Sequence, residues 1–334
     1  MYRHDLFPPE NVASVTIEAP FDQYRDGPVN GRRRAADAVF TRQDGAVINV
    51  AVLEVGGTHA TGALITGQEW TVRTAPLRVE LNAHAPAELL LDEMASAATG
   101  LSAERWGVAM PDPFDYVHGI GRFRDVGKFD ALDGVDVRAG LAARLGVDGA
   151  ALTFCNDADA FTLGEWVAGA GVGTRRCVGL TLGTGVGSGW VVDGHVVDPG
   201  EPLGGRIHQL HVDGRPLEET MSRRAIRAAY ARASGDHEAD VREIAGLARS
   251  GDPTAVAVLQ AALGGLGRAM AGPVADFAPD VLVVGGSMAR SWTLFEPWLL
   301  QGWVAVESRT PPPFRVAVDS DTAPLIGAAY AATS

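Results

Sequence analysis

Two short glycine-rich stretches constrain this chain more than anything else in it. They are Leu53-Glu54-Val55-Gly56-Gly57-Thr58 and Leu182-Gly183-Thr184-Gly185-Val186-Gly187-Ser188-Gly189, and each closes an apolar run that reads as a buried strand. Glycine admits positive φ and offers no side-chain obstruction, so such a turn after a strand can form a concave nest of N–H donors for an anion. Neither stretch is a Walker A loop, which needs a Lys-Ser/Thr ending. Neither fits Gly-x-Gly-x-x-Gly, because Ser188 or Trp190 stands where the third glycine belongs. A dinucleotide-binding Rossmann reading is thereby disfavoured. The plainer alternative is a pair of tight turns, the second leading into a hairpin in which Trp190–Val192 and His195–Val197 flank Asp193-Gly194.

At 334 residues the chain is long enough for two domains and a large core. A net charge of −13 argues against a polyanion as the main partner, since nucleic-acid binders need a clustered basic footprint. The basic run Gly31-Arg32-Arg33-Arg34 lies in a polar N-terminal stretch and reads as a solvated arm. No run approaches the ~18 consecutive apolar residues of a membrane span, and Met1-Tyr2-Arg3-His4-Asp5 lacks a signal-peptide core, so a cytoplasmic protein without membrane contact is expected. Cys155 and Cys177 both lie in apolar strand-like runs, where free cysteine behaves as a small hydrophobe.

Residues 1–44 show little periodicity and read as an extension. Ala46–Leu53 and Thr61–Ile65 read as strands joined at the Gly-Gly-Thr bend, followed by a helix over 86–99 and a strand at Trp106–Met110. Asp136 to Leu145 reads as a helix that Asp136 caps and Gly146 ends. Ala151–Cys155 is the next strand, and Asn156-Asp157 sits between it and a helix from Ala158 to Gly169, the kind of junction where ligand chemistry collects in α/β folds. Further on come a strand at Val178–Leu182, helices near 222–233, 238–250 and 254–271, a strand at Val281–Val284 and a closing helix at Pro324–Ala332. No tandem repeat is visible, although the strand-then-glycine unit recurs at 56–58, 183–189 and 285–287.

Several of these stretches form an ordered set with Pro111-Asp112-Pro113-Phe114-Asp115, Asn156-Asp157-Ala158-Asp159-Ala160 with Gly164-Glu165, Val283-Val284-Gly285-Gly286-Ser287 and Leu325-Ile326-Gly327-Ala328-Ala329. From about residue 50 onward the set resembles the ROK family (repressor, open reading frame, kinase) of sugar kinases, in the actin-like/hexokinase ATPase superfamily. The resemblance implies an α/β, actin-like (ribonuclease H-like) two-lobe ATPase fold with a central cleft. Its small lobe would comprise 45–155 plus 319–334, and its large lobe 156–318. It further implies ATP with Mg²⁺, a sugar or sugar-like substrate and a homo-oligomer, a dimer. Asp157 would be the catalytic base and Asn156 would hold a sugar hydroxyl. Glu54, Gly56, Gly57, Thr58, Gly183, Thr184, Gly185 and Gly187 would line the phosphates, with Mg²⁺ near Glu54, and Gly285 and Gly286 the adenosine side. Asp115, Lys128, Arg206, Gln209 and Glu218 would face the substrate.

The chemistry agrees with these residue types. Phosphoryl transfer is mainly positioning and charge neutralisation, so a site needs donor nests, a metal and a carboxylate for the proton of the attacking hydroxyl. Asp157 equally suits a helix N-cap, Thr58 and Thr184 suit local backbone bonding, and Lys128 suits solvent. Three departures from the family pattern stand out. Glu54 occupies the place of an Asp, which moves its carboxylate about one bond outward. Arg206 and Gln209 stand at the family's Glu and His positions, and a Cys-rich zinc loop is missing between Val212 and Glu218, so zinc is not expected. His208 and His211 then read as surface or pocket-lining residues. Arg206 brings donors where an acceptor usually sits, which suggests an altered hydroxyl-recognition set and makes an amino sugar or cyclitol a candidate beside glucose. The alternative is a non-catalytic sugar-binding or regulatory relative. The residues before 45 are too few for a winged helix-turn-helix, so DNA binding is not expected.

Overall fold

The computed structural model describes residues 48–67, 69–197 and 206–334. The extension over 1–44 with its basic run, and Gly204-Gly205, lie outside the described residues.

β1 (Asn49–Val55) turns at Gly56-Gly57-Thr58 into antiparallel β2 (His59–Thr66). β3 (Thr71–Val72) and β4 (Leu77–Glu80) both pair with β2. After α1 (Ala87–Ser96), β5 (Arg105–Met110) lies parallel to β1. A small hairpin follows, β6 (Phe114–Asp115) with β7 (Ile120–Gly121). α2 (Val137–Leu145) begins and ends where its sequence predicts: the Asp136 carboxylate accepts the Ala139 N–H at 2.8 Å, and Gly146 closes it at φ 68°. β8 (Leu152–Asn156), parallel to β5, completes a sheet of order β3-β2-β1-β5-β8.

α3 (Asp157–Ala168) leads into a second sheet. β9 (Arg176–Leu182) and β10 (Val186–Val192) are antiparallel across the second glycine turn, and β11 (His195–Val196) follows the expected Asp193-Gly194 turn, with both turn residues at positive φ. Next come the β12 (His211–Val212) and β13 (Arg215–Pro216) hairpin, α4 (Glu218–Met221), α5 (Arg223–Ser234), α6 (Val241–Arg249) and α7 (Pro253–Phe277). β14 (Val281–Gly285) is parallel to β9, and after α8 (Trp292–Val304) β15 (Phe314–Val316) is parallel to β14. α9 (Ala323–Ala331) closes the chain.

The two sheets share one topology, an antiparallel pair bent at a glycine turn and extended by two parallel strands. In sequence the duplication shows only as the recurring strand-then-glycine unit, because strand direction and turn position repeat while side chains do not. β1 is buried on both faces, which explains its nearly continuous apolar run. Ala51, Leu53 and Val55 join the core under α1 and α2, while Val50 and Val52 pack toward α9. β14 divides likewise: Leu282 and Val284 enter the large core of α5–α8, and Val281 and Val283 pack toward Phe161 of α3.

Two helices depart from the sequence reading. α7 runs on through Pro273 to Phe277, because burying Val274 and Phe277 outweighs one missing N–H. Its length and composition would suit a membrane span, yet 56% of its most apolar window is buried inside the protein. α8 has no counterpart in the sequence reading; it runs through Pro297, and Phe295, Leu299 and Trp303 are fully buried.

α3 covers β9 and β10, α9 covers β1 and β5, and the two helices cross backbone to backbone. A Cβ on Gly327 would come within 2.6 Å of the Ala160 carbonyl carbon and 2.8 Å of the Gly164 nitrogen. A Cβ on Gly164 would strike the Ala323 backbone in turn. Gly327→Val is therefore expected to cost about 3 kcal/mol by overpacking. Gly246→Ala, at a helical position with open space around it, should instead stabilise by about 0.5–1 kcal/mol. Chemical denaturation of the two variants checks both signs.

Candidate active site

The site grows from the β8–α3 junction. Asn156, buried at the end of β8, caps α3, its Oδ1 accepting the N–H groups of Ala158 (3.0 Å) and Asp159 (3.2 Å). Its Nδ2 donates to Asp112 Oδ2 (3.2 Å) and the Tyr116 hydroxyl (3.1 Å). Every polar position of this amide is thus used inside the protein. The capping role open to Asp157 in the sequence belongs to Asn156 instead. Asp157 becomes the first helical residue, with one oxygen accepting the Ala158 N–H at 2.8 Å and the other without a hydrogen-bond partner among the described residues.

Burial pushes the Asp157 carboxyl above the ordinary carboxylate range, while the Ala158 N–H and the Lys128 ammonium pull it down. Glu54, at the end of β1, is pushed up to about 7, first by burial and then by the negative field of Asp157, against Arg78 and a Thr61 hydrogen bond. The first glycine turn therefore stands beside the α3 N-terminus. Within that turn the Gly56 N–H bonds the His59 carbonyl (2.8 Å), and Thr58 Oγ1 pairs with the His59 side chain at Nδ1 (2.8 Å) rather than with the backbone. Gly57 faces open space.

The second turn lies against other site elements, most tightly at Gly187. A Cβ on Gly187 would strike Thr181 and lie 3.0 Å from Ala158 Cβ, one on Gly185 would come within 2.7 Å of Glu218 Oε1, and one on Gly183 would sit 3.6 Å from Ser287 Oγ. Thr184 is exposed at its tip. Gly286, at φ 82°, lies against the Leu182 backbone and donates its N–H to Ser320 Oγ (3.2 Å), while Gly285 lies against the Phe161 ring. The 183–187 turn, the 285–287 turn, Glu218 and the first turn of α3 thus converge.

Arg206 faces the same region. Its Nε reaches Asp112 Oδ2 at 2.8 Å and its Nη2 approaches Asp159 Oδ2 at 3.6 Å. Asp159 is pushed up to about 7 by burial, with Arg206 opposing. Lys128 is half-buried, held between Gly127 and the fully buried Phe129, both at positive φ, and its charge acts on Asp157 and His208. His208 is lowered by burial and raised by the nearby Glu218 and Asp112.

Two sequence candidates are placed differently. Gln209 is exposed with no side-chain hydrogen bond among the described residues, and its neighbour His208 takes the inward position. Asp115 is occupied in its hairpin by the His118 N–H (3.0 Å) and Arg122 (3.1 Å), which hold its carboxyl low. Asp112 from the same loop joins the cluster instead. Asp112 and Asp159, inside the motifs but given no role there, and Tyr116 are the members that motif reading missed, while His208 takes the pocket-lining place that was one of its two readings. The Asp157/Asp159 spacing could have signalled one of them, since i and i+2 in a first helical turn both lie near the cap.

Among the described residues no three His, Cys, Asp or Glu side chains converge as a metal site. Mg²⁺ usually keeps several waters and takes one or two carboxylates plus phosphate, so the Glu54 carboxyl under Asp157's field fits a nucleotide-borne Mg²⁺.

The model of the ROK family matches residues 50–334. The chain is 28% identical over 264 residues to a glucokinase of Thermotoga maritima, covering 72% of this chain and 82% of that protein. It is 31% identical over 262 residues to the bifunctional enzyme NanE/NanK of Brucella melitensis, covering 72% of this chain and 46% of that protein. It superposes on the crystal structure of a ROK hexokinase from Thermus thermophilus with a TM-score of 0.69 and 26% identity, over 85% of this chain and 98% of that one. The fold is the actin-like α/β fold.

The raised Glu54 carboxyl has a measurable consequence. The folded state holds that proton more tightly than the unfolded chain, so the stabilisation is complete below about 4.5 and is lost as pH rises through about 7. Glu54→Gln should leave stability nearly unchanged at pH 4 and raise it at pH 8, on the order of 2–3 kcal/mol. Urea unfolding at the two pH values tests this.

Proposed function

The chain belongs to the ROK family, and on that premise we propose that it is an ATP-dependent sugar kinase that phosphorylates a hydroxyl, the primary one, of a hexose or a hexose-like substrate. The observation that carries the reading is the division of labour at the β8–α3 junction. Asn156 takes the cap, so Asp157 keeps a carboxylate oxygen unbonded at the helix start, with a glycine turn near it on either side.

Asp157 accepts the proton of the attacking hydroxyl, which makes that oxygen a competent nucleophile toward the γ-phosphoryl group. Lys128 and the Ala158 N–H favour its ionised form against the penalty of burial. The turns at 56–58 and 183–187 hold phosphate oxygens through backbone donors, and Gly285-Gly286 admits the nucleoside side by lacking side chains. Mg²⁺ supplies neutralisation of phosphate charge and would be held from the Glu54 side. The 45–155 and 319–334 segments act as one lobe and 156–318 as the other, with cleft closure excluding water. Names of similar proteins, a glucokinase and a hexokinase, support a hexose. The exchange of Glu for Arg206 supports testing amino sugars and cyclitols beside glucose.

A coupled ADP-release assay across hexoses, N-acetylhexosamines and cyclitols should give sugar-dependent turnover with at least one of them. Absence of turnover with all of them would leave a silent binding relative. Asp157→Asn should lower kcat by roughly 10²–10⁴ with sugar binding retained. A near-normal kcat would remove Asp157 from the role of base.

A further inference from the structure

We propose that Arg206 is a positioning residue for this reaction rather than a donor to the substrate, tying the second sheet to Asp112 beyond β5 and to the first turn of α3, and so fixing Asn156 and Asp157. This rests on the kinase reading above.

The tie can be followed atom by atom. On the side of the second sheet, Ile207 is fully buried and its N–H donates to Ser188 Oγ of β10 at 3.0 Å, where Ser188 is itself buried. The backbone beside Arg206 is therefore anchored. From that anchor the guanidinium engages Asp112 Oδ2 through Nε (2.8 Å) and faces Asp159 Oδ2 through Nη2 (3.6 Å). Asp112 Oδ2 also accepts from Asn156 Nδ2, and Asp112 Oδ1 accepts from the Tyr116 hydroxyl at 2.8 Å. Asn156 Oδ1 in turn caps the helix that begins with Asp157. Arg206, Asp112 and Asn156 thus form one chain of contacts from β10 to the base.

Bonded to Asp112 and facing Asp159, the guanidinium has its charge offset by two carboxylates and its Nε donor already used within the protein. The charged and titratable groups facing the junction are Asp112 from the loop after β5, Asp157 and Asp159 on α3, Glu54 from β1 with Arg78 of β4 acting on it, Lys128 from the loop after β7, His208 with Glu218 near it, and Arg206 itself. Removing Arg206 leaves the carboxyls of Asp112, Asp157, Asp159 and Glu54 with Lys128 acting on Asp157 and Arg78 on Glu54. The Asp157 and Asp159 carboxyls should then hold their protons to higher pH, and Asp112 should lose its orientation on Asn156.

The test is steady-state kinetics against pH for Arg206→Gln and Arg206→Lys, with ¹³C titration of the aspartate carboxyls in wild type and both variants. Arg206→Gln should lower kcat by about 10²-fold, as small misplacements at a reacting centre do, with sugar KM changed less than about threefold. The acid limb of kcat/KM and the Asp159 titration should both move upward. Arg206→Lys, which keeps the charge without the planar fork, should return the titration toward wild type while recovering only part of kcat. A sugar KM raised about tenfold or more, with kcat and acid limb unmoved, would make Arg206 a substrate contact and overturn the proposal. Unchanged aspartate titration in Arg206→Gln would overturn it whether or not turnover is seen. A wild-type protein inactive with every acceptor is instead the failure of the kinase reading, and the carboxyl titrations still decide the Arg206 tie.

Discussion

The crossing of α3 and α9 is the contact on which the rest of this structure depends. Gly164 meets the backbone at Ala323, and Gly327 meets the backbone at Ala160, so two helices approach as closely as main chains can. α3 lies on the second sheet and α9 on the first, and their crossing therefore sets how the sheets stand to one another. Such packing has little freedom to slide, because a close-packed interface with no side chains between the backbones has few alternative arrangements. α3 also begins with Asp157, so the same helix that joins the halves carries the candidate base.

Around that helix start the chain concentrates carboxylates and partly buries them. Glu54, Asp157 and Asp159 are all pushed upward by burial, while Arg78 opposes this at Glu54, Lys128 and Arg206 at Asp157, and Arg206 at Asp159. Burying charge costs more than pairing usually returns, so an arrangement of this kind is poor evidence for stability. Its value lies in poise: each carboxyl's proton affinity depends on where the neighbouring cation is held. Arg206 is held by Asp112 at 2.8 Å and leads into fully buried Ile207, and Lys128 is half-buried beside fully buried Phe129.

Much of the fold was legible because local chemistry and global packing agree in many elements. Asp136 and Gly146 bound α2 as written, and Asp193-Gly194 makes its hairpin. The misreadings occur where local signals oppose burial. Pro273 and Pro297 argue against helix, but the buried faces of α7 and α8 override them. In the site, the motif pointed to Asn156-Asp157 without saying which residue caps. Backbone direction at the end of β8 made that choice by setting Asn156 at φ −70° and ψ 147°, the extended geometry of a cap. Gln209 and His208 were separable only once a tight helical turn over Ile207–Gln209 had fixed their directions.

The sequence by itself determined the strand-then-glycine turns, the order of the motifs and the residue types available for chemistry, because these depend on local conformation and spacing. Tertiary structure alone decided which glycine turn faces which partner, that Asp112 rather than Asp115 joins the cluster, and that Arg206 lies on Asp112 and Asp159. The reason is that contacts between residues far apart in the chain are set by how the two sheets are docked. In the second glycine turn, lack of a side chain has a specific cause at Gly187, where a Cβ would strike Thr181 Oγ1 and lie 3.0 Å from Ala158 Cβ.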